Sequence, residues 1–222
     1  MALKDFVMAE ARPLPVILIL DVSGSMSVDG KITALNESVR EMLETFKGQE
    51  DHQAEIHAGI ITFGGDVQVH QNISPASEIE WQPMNASGST PFGEALDKAR
   101  ELIEDESIIP SRAYRPTIVV VSDGQPTDNG YWKTALENFL KSNRASKAFR
   151  FAMGIGDYDR GVLEAFLEGT GMQLFEATDS ATITKFFQFV TMSVSTRITS
   201  KSPDSQVDPI QVDLGTNTWD EF

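Results

Sequence analysis

Residues 16–25 read VILILDVSGS, and they are the strongest indication of the fold because an apolar run ends abruptly in small polar residues. Five consecutive aliphatic side chains are typical of a strand that is buried on both faces. Asp21, Ser23 and Ser25 then follow at alternate positions, which places oxygen-bearing side chains at the carboxyl end of that strand. Taken alone this pattern is ambiguous, since Asp, Ser and Gly are also common in turns that end strands.

Two further segments carry oxygen side chains in comparable places. Residues 87–91 read SGSTP just before a helical pattern, so Thr90 is predicted to lie in a loop and to cap that helix. Residues 118–128 read IVVVSDGQPTD, which is a second β-branched strand that ends on a carboxylate, Asp123. Asp128 is interpreted as a helix N-cap and is left out of the site.

The rest of the chain alternates strand-like and helix-like patterns, which predicts a doubly wound α/β fold with a mostly parallel sheet and helices on both faces. The predicted strands are 15–21, 55–63, 67–73, 117–122, 149–155 and 173–176, and the predicted helices are 32–46, 92–104, 131–142, 160–167 and 180–195. A glycine turn at 64–66 predicts a hairpin, so the third strand should be an antiparallel edge strand. In such sheets ligands bind beyond the carboxyl ends of the strands, where Asp21 and Asp123 are expected.

In their order and separation, the DVSGS, STP and SDGQPTD segments resemble the metal-ion-dependent adhesion site (MIDAS) of a von Willebrand factor type A (vWA) domain. The resemblance covers roughly residues 14 to 196, and every position of the family's site is filled, by Asp21, Ser23, Ser25, Thr90 and Asp123. It implies a Rossmann-like fold and a protein-interaction role in which a ligand carboxylate completes the shell of a bound metal. In overall similarity the chain looks closest to the bacterial TerY-like group, which implies tellurium resistance or stress-response signalling, with kinase- or phosphatase-type proteins as partners.

The donor types by themselves indicate a hard divalent cation. Oxygen ligands without His or Cys favour Mg²⁺, with Mn²⁺ or Ca²⁺ as substitutes that depend on cavity size. Three hydroxyls with one or both carboxylates leave an octahedral shell incomplete, so water or a partner must fill it. If only one aspartate coordinates directly, the inner shell keeps a net positive charge and attracts an Asp or Glu of a protein partner.

Composition restricts the classes of partner and the compartment. A formal net charge of -15 argues against nucleic acid and anionic membranes as partners, because both would be repelled. The absence of cysteine excludes disulfides and thiolate metal sites, and it is compatible with a reducing cytosol. No stretch of the sequence has the pattern of a signal peptide or a membrane span, so a cytoplasmic protein is predicted.

Length and patterning favour a single large domain, because no linker interrupts the alternation before about residue 197. The predicted division is an N-terminal arm at 1–13, a vWA domain at 14–196 and an acidic tail at 197–222. The tail has no Lys or Arg after Lys201, while Ile210, Val212 and Leu214 alternate as in an edge-pairing strand. Both a disordered end and a tail docked on its own or a neighbouring domain therefore stay open.

Two other functions also stay open. An Asp at a strand end with Mg²⁺ is used by aspartyl phosphatases, so a Mg-dependent phosphoryl hydrolase is one alternative. Those enzymes typically add a second Asp two residues later, where this chain has Ser23, and a GxxxxGK[ST] loop is also missing. The other alternative is a metal-independent scaffold with a vestigial site. Since neither a Cys nucleophile nor a Ser–His pairing is evident, the sequence predicts that the protein is not an enzyme.

Overall fold

The structure is a computed structural model, and it describes residues 11–49 and 53–205. The strands are β1 (Arg12–Asp21), β2 (Ala54–Gly64), β3 (Asp66–Pro75), β4 (Thr117–Ser122), β5 (Phe149–Ile155) and β6 (Phe175–Ala177). The α-helices are α1 (Lys31–Lys47), α2 (Phe92–Glu104), α3 (Tyr131–Lys141), α4 (Arg160–Leu167) and α5 (Ser180–Thr199). Each predicted strand and helix is present, with ends that differ by a few residues.

The six strands form one sheet in the order β3-β2-β1-β4-β5-β6. All neighbouring strands are parallel except β2 and β3, which are antiparallel. Gly65 sits in the hairpin between them with a φ of 83°, a left-handed conformation that glycine adopts without strain. The predicted fold class, including the antiparallel edge strand, is confirmed.

The chain runs outward from β1 to β3 and then crosses back to β4, which lies on the other side of β1. The order of the strands therefore reverses between β1 and β4. In an open α/β sheet, the carboxyl ends of the strands at such a reversal border a crevice that binds ligands. The carboxyl ends of β1 and β4 are thus the place where a site is expected.

Helices cover both faces of the sheet because successive strand residues point to opposite sides. Helices α1 and α5 pack on one face, and α2, α3 and α4 pack on the other. Along β1 the first face receives Leu14, Val16, Leu18 and Leu20, and the second receives Ile17 and Ile19. Both faces of β1 are therefore buried, as the unbroken aliphatic run predicts.

A buried arginine stabilises the end of the sheet opposite to the crevice. Arg197 is 3% exposed, and its guanidinium donates to Thr117 Oγ1 at 2.6 Å, to the Arg115 carbonyl at 2.7 Å and to the Pro203 carbonyl at 2.9 Å. It also lies 4.2 Å from the ring centroid of Phe149. Burial lowers the pKa of Arg197 to about 10, so the guanidinium stays charged at neutral pH.

The residues that follow α5 return to this arginine. Asp204 Oδ1 accepts a hydrogen bond from the Arg115 backbone N–H at 2.7 Å and lies 3.8 Å from Arg197 Nη2.

The predicted division into arm, domain and tail stays a prediction, because residues 1–10 and 206–222 lie outside the described residues, and so does the alternating pattern at 210–214. Within the described ranges, no helix is both long enough and apolar enough to cross a membrane.

We expect Arg197→Met to lower the free energy of unfolding by about 3 kcal/mol, because two buried acceptors and one half-buried acceptor lose a charged donor. Urea denaturation followed by circular dichroism would measure this loss. Arg160→Met is the matched control, since the exposed Arg160 side chain pairs with the exposed carboxylates of Glu164 and Glu176. Equal losses in the two variants would contradict the role assigned to Arg197.

Candidate metal centre

The predicted site residues come from three loops at the carboxyl ends of β1 and β4. Asp21 is the last residue of β1 and Asp123 directly follows β4. Thr90 lies in the loop that leads into α2. Asp21, Ser23, Thr90 and Asp123 are buried, whereas Ser25 is exposed. The group of side chains is therefore open to solvent on the Ser25 side.

The Asp21 carboxylate is wholly buried, and neutral donors satisfy both of its oxygens. Oδ1 accepts from the Ser23 backbone N–H at 2.8 Å, and Oδ2 accepts from Ser122 Oγ at 2.6 Å. Burial raises the pKa of Asp21, hydrogen bonds from Ser122 and Ser23 oppose that rise, and the charge of Asp123 adds to it. The two bonds orient the carboxylate and join the end of β1 to the end of β4.

The two serines connect this strand end to the second carboxylate. Ser23 Oγ lies 3.0 Å from Ser25 Oγ, within hydrogen-bond distance. Ser25 Oγ donates in turn to Asp123 Oδ1 at 2.6 Å. The alternate spacing of Asp21, Ser23 and Ser25 thus brings their oxygens together with Asp123, which lies about a hundred residues later in the chain.

Thr90 reaches the same place from the third loop. A Cβ built on Gly124 would lie 3.5 Å from Thr90 Oγ1 and 3.8 Å from Ser25 Oγ, so both hydroxyls border the same small space beside Gly124. The Thr90 backbone is held by Thr127, since Thr90 N–H donates to Thr127 Oγ1 at 2.9 Å and Thr127 N–H donates to the Thr90 carbonyl at 2.9 Å. The structure therefore brings all five predicted site residues to one rim.

The prediction that Thr90 caps α2 is wrong. Pro91 occupies the N-cap position, and no side chain at that position makes a capping hydrogen bond. Instead, Asp128 Oδ2 accepts from the Gly93 backbone N–H at 2.7 Å, so a carboxylate from another loop caps α2. Asp128 Oδ1 also accepts from the Trp132 N–H in the first turn of α3 at 3.3 Å, although Gly130, and not Asp128, occupies the N-cap position of that helix. A charged cap from a distant loop takes the place of the local hydroxyl.

The Thr90 loop is held against its neighbours by backbone contacts. Three hydrogen bonds do this: Ser87 N–H to the Val22 carbonyl at 2.7 Å, Gly24 N–H to the Gly88 carbonyl at 3.0 Å, and Gly65 N–H to the Ser89 carbonyl at 2.9 Å. Gly64 is required for this approach, because a Cβ there would lie 2.5 Å from the Val22 carbonyl oxygen and 2.7 Å from that of Ser87. The position of Thr90 thus depends on close packing between backbones.

Two residues of the site were missed in the sequence. Lys31 Nζ donates to Asp123 Oδ2 at 2.7 Å, and Ser122 holds Asp21 as described above. A serine at the end of a strand gives no periodic signal. Lys31 carried a weak one, because it is the first residue of α1, where the helix dipole disfavours a cation. A lysine in that position suggests a nearby anion.

The chemistry of the donors suits a small, hard cation. Among the described residues, no group of three or more His, Cys, Asp or Glu side chains is placed to hold a metal ion. The rim instead combines two carboxylates with three hydroxyls, from Asp21, Asp123, Ser23, Ser25 and Thr90. All-oxygen donors of this kind match Mg²⁺, Mn²⁺ or Ca²⁺ better than metals that prefer thiolate or imidazole ligands.

Comparisons with known proteins agree with this architecture. Residues 16–189 match the model of the von Willebrand factor type A domain family. A von Willebrand factor type A protein of Catenulispora acidiphila has a similar fold, with a TM-score of 0.60 at 20% identity over 82% of this chain and 43% of that one. The ArnB paralog VWA2 of Sulfolobus acidocaldarius gives a TM-score of 0.59 at 18% identity, over 80% of this chain and 44% of that one.

A third similar structure is the proximal thread matrix protein 1 of the mussel byssus, described with a zinc-occupied MIDAS motif. Its TM-score is 0.63 at 14% identity, over 84% of this chain and 46% of that one. The chain thus spans less than half the length of these solved proteins, and at such identities the likeness concerns the fold. No curated protein sequence matches it. Because the family model covers most of the strands, the helices and the rim, the chain belongs to the von Willebrand factor type A domain family.

Proposed function

We propose that this vWA domain is a metal-dependent protein-interaction module in which Asp21, Ser23, Ser25, Thr90 and Asp123 hold a divalent cation, preferentially Mg²⁺. The observation that carries the proposal is the convergence of these oxygens from three loops on one solvent-facing rim. The continuous contacts from Ser23 to Ser25 at 3.0 Å and from Ser25 to Asp123 at 2.6 Å support it. The place of the rim, at the reversal of strand order, supports it as well.

The distribution of charge among the five rim residues explains how such a site can bind an acidic ligand. The three hydroxyls are neutral, so the negative charge at the rim comes from Asp21 and Asp123 alone. Asp21 is wholly buried and already has hydrogen-bond donors on both oxygens, which suits it to orienting the loop. When bound, the cation supplies a positive charge and an open coordination position for a carboxylate of the partner. Ser25 is exposed, so this side of the rim is accessible.

The choice of metal is part of the proposal. The donor chemistry favours Mg²⁺, with Mn²⁺ and Ca²⁺ as substitutes. The mussel protein described above carries zinc in its MIDAS motif, so zinc belongs among the ions to be tested.

We extend the proposal to a role in bacterial tellurium resistance or a related stress response, with kinase- or phosphatase-type proteins as partners. Its support is the resemblance of the sequence to the TerY-like group, together with the residue types at the five positions of the rim. A cytoplasmic location is part of this proposal, because a chain without cysteine needs no oxidising compartment. The net charge of -15 argues against nucleic acid and anionic lipid as the partner.

Titration calorimetry with Mg²⁺, Mn²⁺, Ca²⁺ and Zn²⁺ tests the site without a partner. We expect wild type to bind Mg²⁺ and Ser25→Ala to bind it at least about tenfold more weakly, since a ligand hydroxyl is lost. Ser107→Ala is the control, because it removes an exposed serine hydroxyl beyond the far end of α2. Wild type that binds none of these ions would refute the proposed site.

The interaction itself is tested by capture of partners from the native lysate, with wild type and Ser25→Ala, each in Mg²⁺ and in EDTA. We expect at least one protein to be retained only by wild type in Mg²⁺. A partner retained in all arms would favour the metal-independent scaffold instead.

A separate assay tests the hydrolase alternative. Metal-dependent turnover of p-nitrophenyl phosphate that is lost in Asp21→Asn would favour the hydrolase.

A further prediction concerns the Thr90 loop. We expect Gly64→Ala to weaken Mg²⁺ binding, because the added methyl group would overlap the Val22 and Ser87 carbonyl oxygens and displace the loop that carries Thr90. Gly59→Ala is the matched control, since it adds the same methyl group to the same strand but meets Ile73 away from the rim. Titration of both variants with Mg²⁺, with thermal unfolding in EDTA to compare stability, measures the difference. Equal affinities would contradict the assigned role of the glycine.

A further inference from the structure

We infer that Lys31 is a built-in competitor of the divalent cation, whose ammonium group holds Asp123 until the metal displaces it. The inference rests on the proposed function, because it assigns Lys31 a role toward the same site. It adds a residue from outside the five oxygen donors, and it explains why a lysine lies at the first position of α1.

The contact between Lys31 and Asp123 is close and largely shielded from water. Nζ lies 2.7 Å from Asp123 Oδ2, and the two side chains are 17% and 0% exposed. Ser25 Oγ donates to the other oxygen of the same carboxylate at 2.6 Å. Both oxygens of Asp123 are therefore occupied by donors from the chain itself, and its charge is balanced without a metal ion.

This pairing makes Lys31 a rival of the metal. An oxygen of Asp123 that coordinates a dication no longer has its full charge available to the ammonium group. An ammonium group left in place would also repel the incoming dication, since unscreened like charges a few ångströms apart interact strongly. The amino-terminal end of α1 carries a partial positive charge of its own and adds to this repulsion. On this inference, metal binding moves the ammonium group away from Asp123.

The structure provides a place for the displaced group. A cleft of about 410 Å³ adjoins Lys31 and Asp123, and the residues that line it include the acidic residues Asp29 and Asp157. Gly156 also lines the cleft, and a Cβ built on it would lie 3.7 Å from Lys31 Nζ, so the ammonium group is already beside this wall. When the flexible lysine side chain rotates, its ammonium group gives up the contact with Asp123 and gains contacts with water and these acidic residues. The site thus changes between a lysine-paired form and a metal-bound form.

The consequence is that a higher concentration of metal is needed to load the rim, and so to bind an acidic partner, than would be needed without Lys31. Lys31→Met tests it, because methionine keeps the apolar part of the side chain and removes the charge. We expect Lys31→Met to bind Mg²⁺ about tenfold more tightly than wild type in titration calorimetry. Lys98→Met is the matched control, since it causes the same change in net charge by removing a partly exposed lysine that pairs with Glu101 at 2.8 Å. Its affinity for Mg²⁺ should equal that of wild type.

Thermal unfolding separates competition from a purely structural ion pair. In EDTA, Lys31→Met should melt below wild type, because Asp123 loses its partner. In saturating Mg²⁺ the difference should vanish or reverse, since the metal then replaces the lysine. A structural pair that persists alongside the metal would lower the melting temperature of the variant equally in both conditions, and that result would overturn the inference. Lys31→Gln serves as a second variant that keeps a hydrogen-bond donor without the charge.

The outcomes distinguish the two proposals. If wild type binds no divalent cation, the proposed function fails. If wild type binds Mg²⁺ while Lys31→Met and Lys31→Gln bind it with equal or lower affinity, the inference about Lys31 is overturned and the proposed site stands. Tighter binding in both variants, with the control unchanged, supports the competition.

Discussion

The burial of a carboxylate at the end of the central strand is the constraint on which the rest of the site depends. Asp21 has no exposed surface, and a buried charge is tolerated only where hydrogen bonds replace the water it has lost. Those bonds come from the Ser23 backbone at 2.8 Å and the Ser122 hydroxyl at 2.6 Å. Satisfying Asp21 therefore shapes the loop after β1 and joins it to the end of β4, which brings the remaining donors within reach.

The two aspartates of the rim are stabilised in different ways, and this difference suits them to different roles. Asp21 accepts hydrogen bonds from neutral donors, one just after β1 and one at the end of β4. Asp123 is balanced by the ammonium group of Lys31, a flexible side chain beside an open cleft. Neutral donors next to the carboxylate suit a residue that orients a loop, whereas a counter-charge on a long side chain suits a residue whose partner is to be exchanged.

The charge of the whole chain bears on the proposed function. A protein with a net charge of -15 repels an acidic partner at long range, so recognition of a carboxylate requires a strong local positive charge. A divalent cation at the rim would provide that charge if only one of the two aspartates coordinates it directly, because the hydroxyls of Ser23, Ser25 and Thr90 are neutral. Binding of this kind should depend on the metal much more than on general surface attraction. The position of the rim at the reversal of strand order keeps it accessible on an otherwise closely packed fold.

The sequence alone was enough to predict the α/β class, the succession of strands and helices along the chain and the antiparallel hairpin at Gly65, and it offered five candidate oxygen donors through their resemblance to a MIDAS. These features are local, because hydrophobic periodicity and turn chemistry act between residues that are close in the chain. Only the tertiary structure placed Lys31 on Asp123, 92 positions away, and Ser122 on Asp21, 101 positions away. It also gave the capping of α2 to Asp128, 35 positions from Gly93, instead of Thr90. Contacts of this kind depend on which strands become neighbours in the sheet, and side-chain patterns along one strand or helix carry no information about that order.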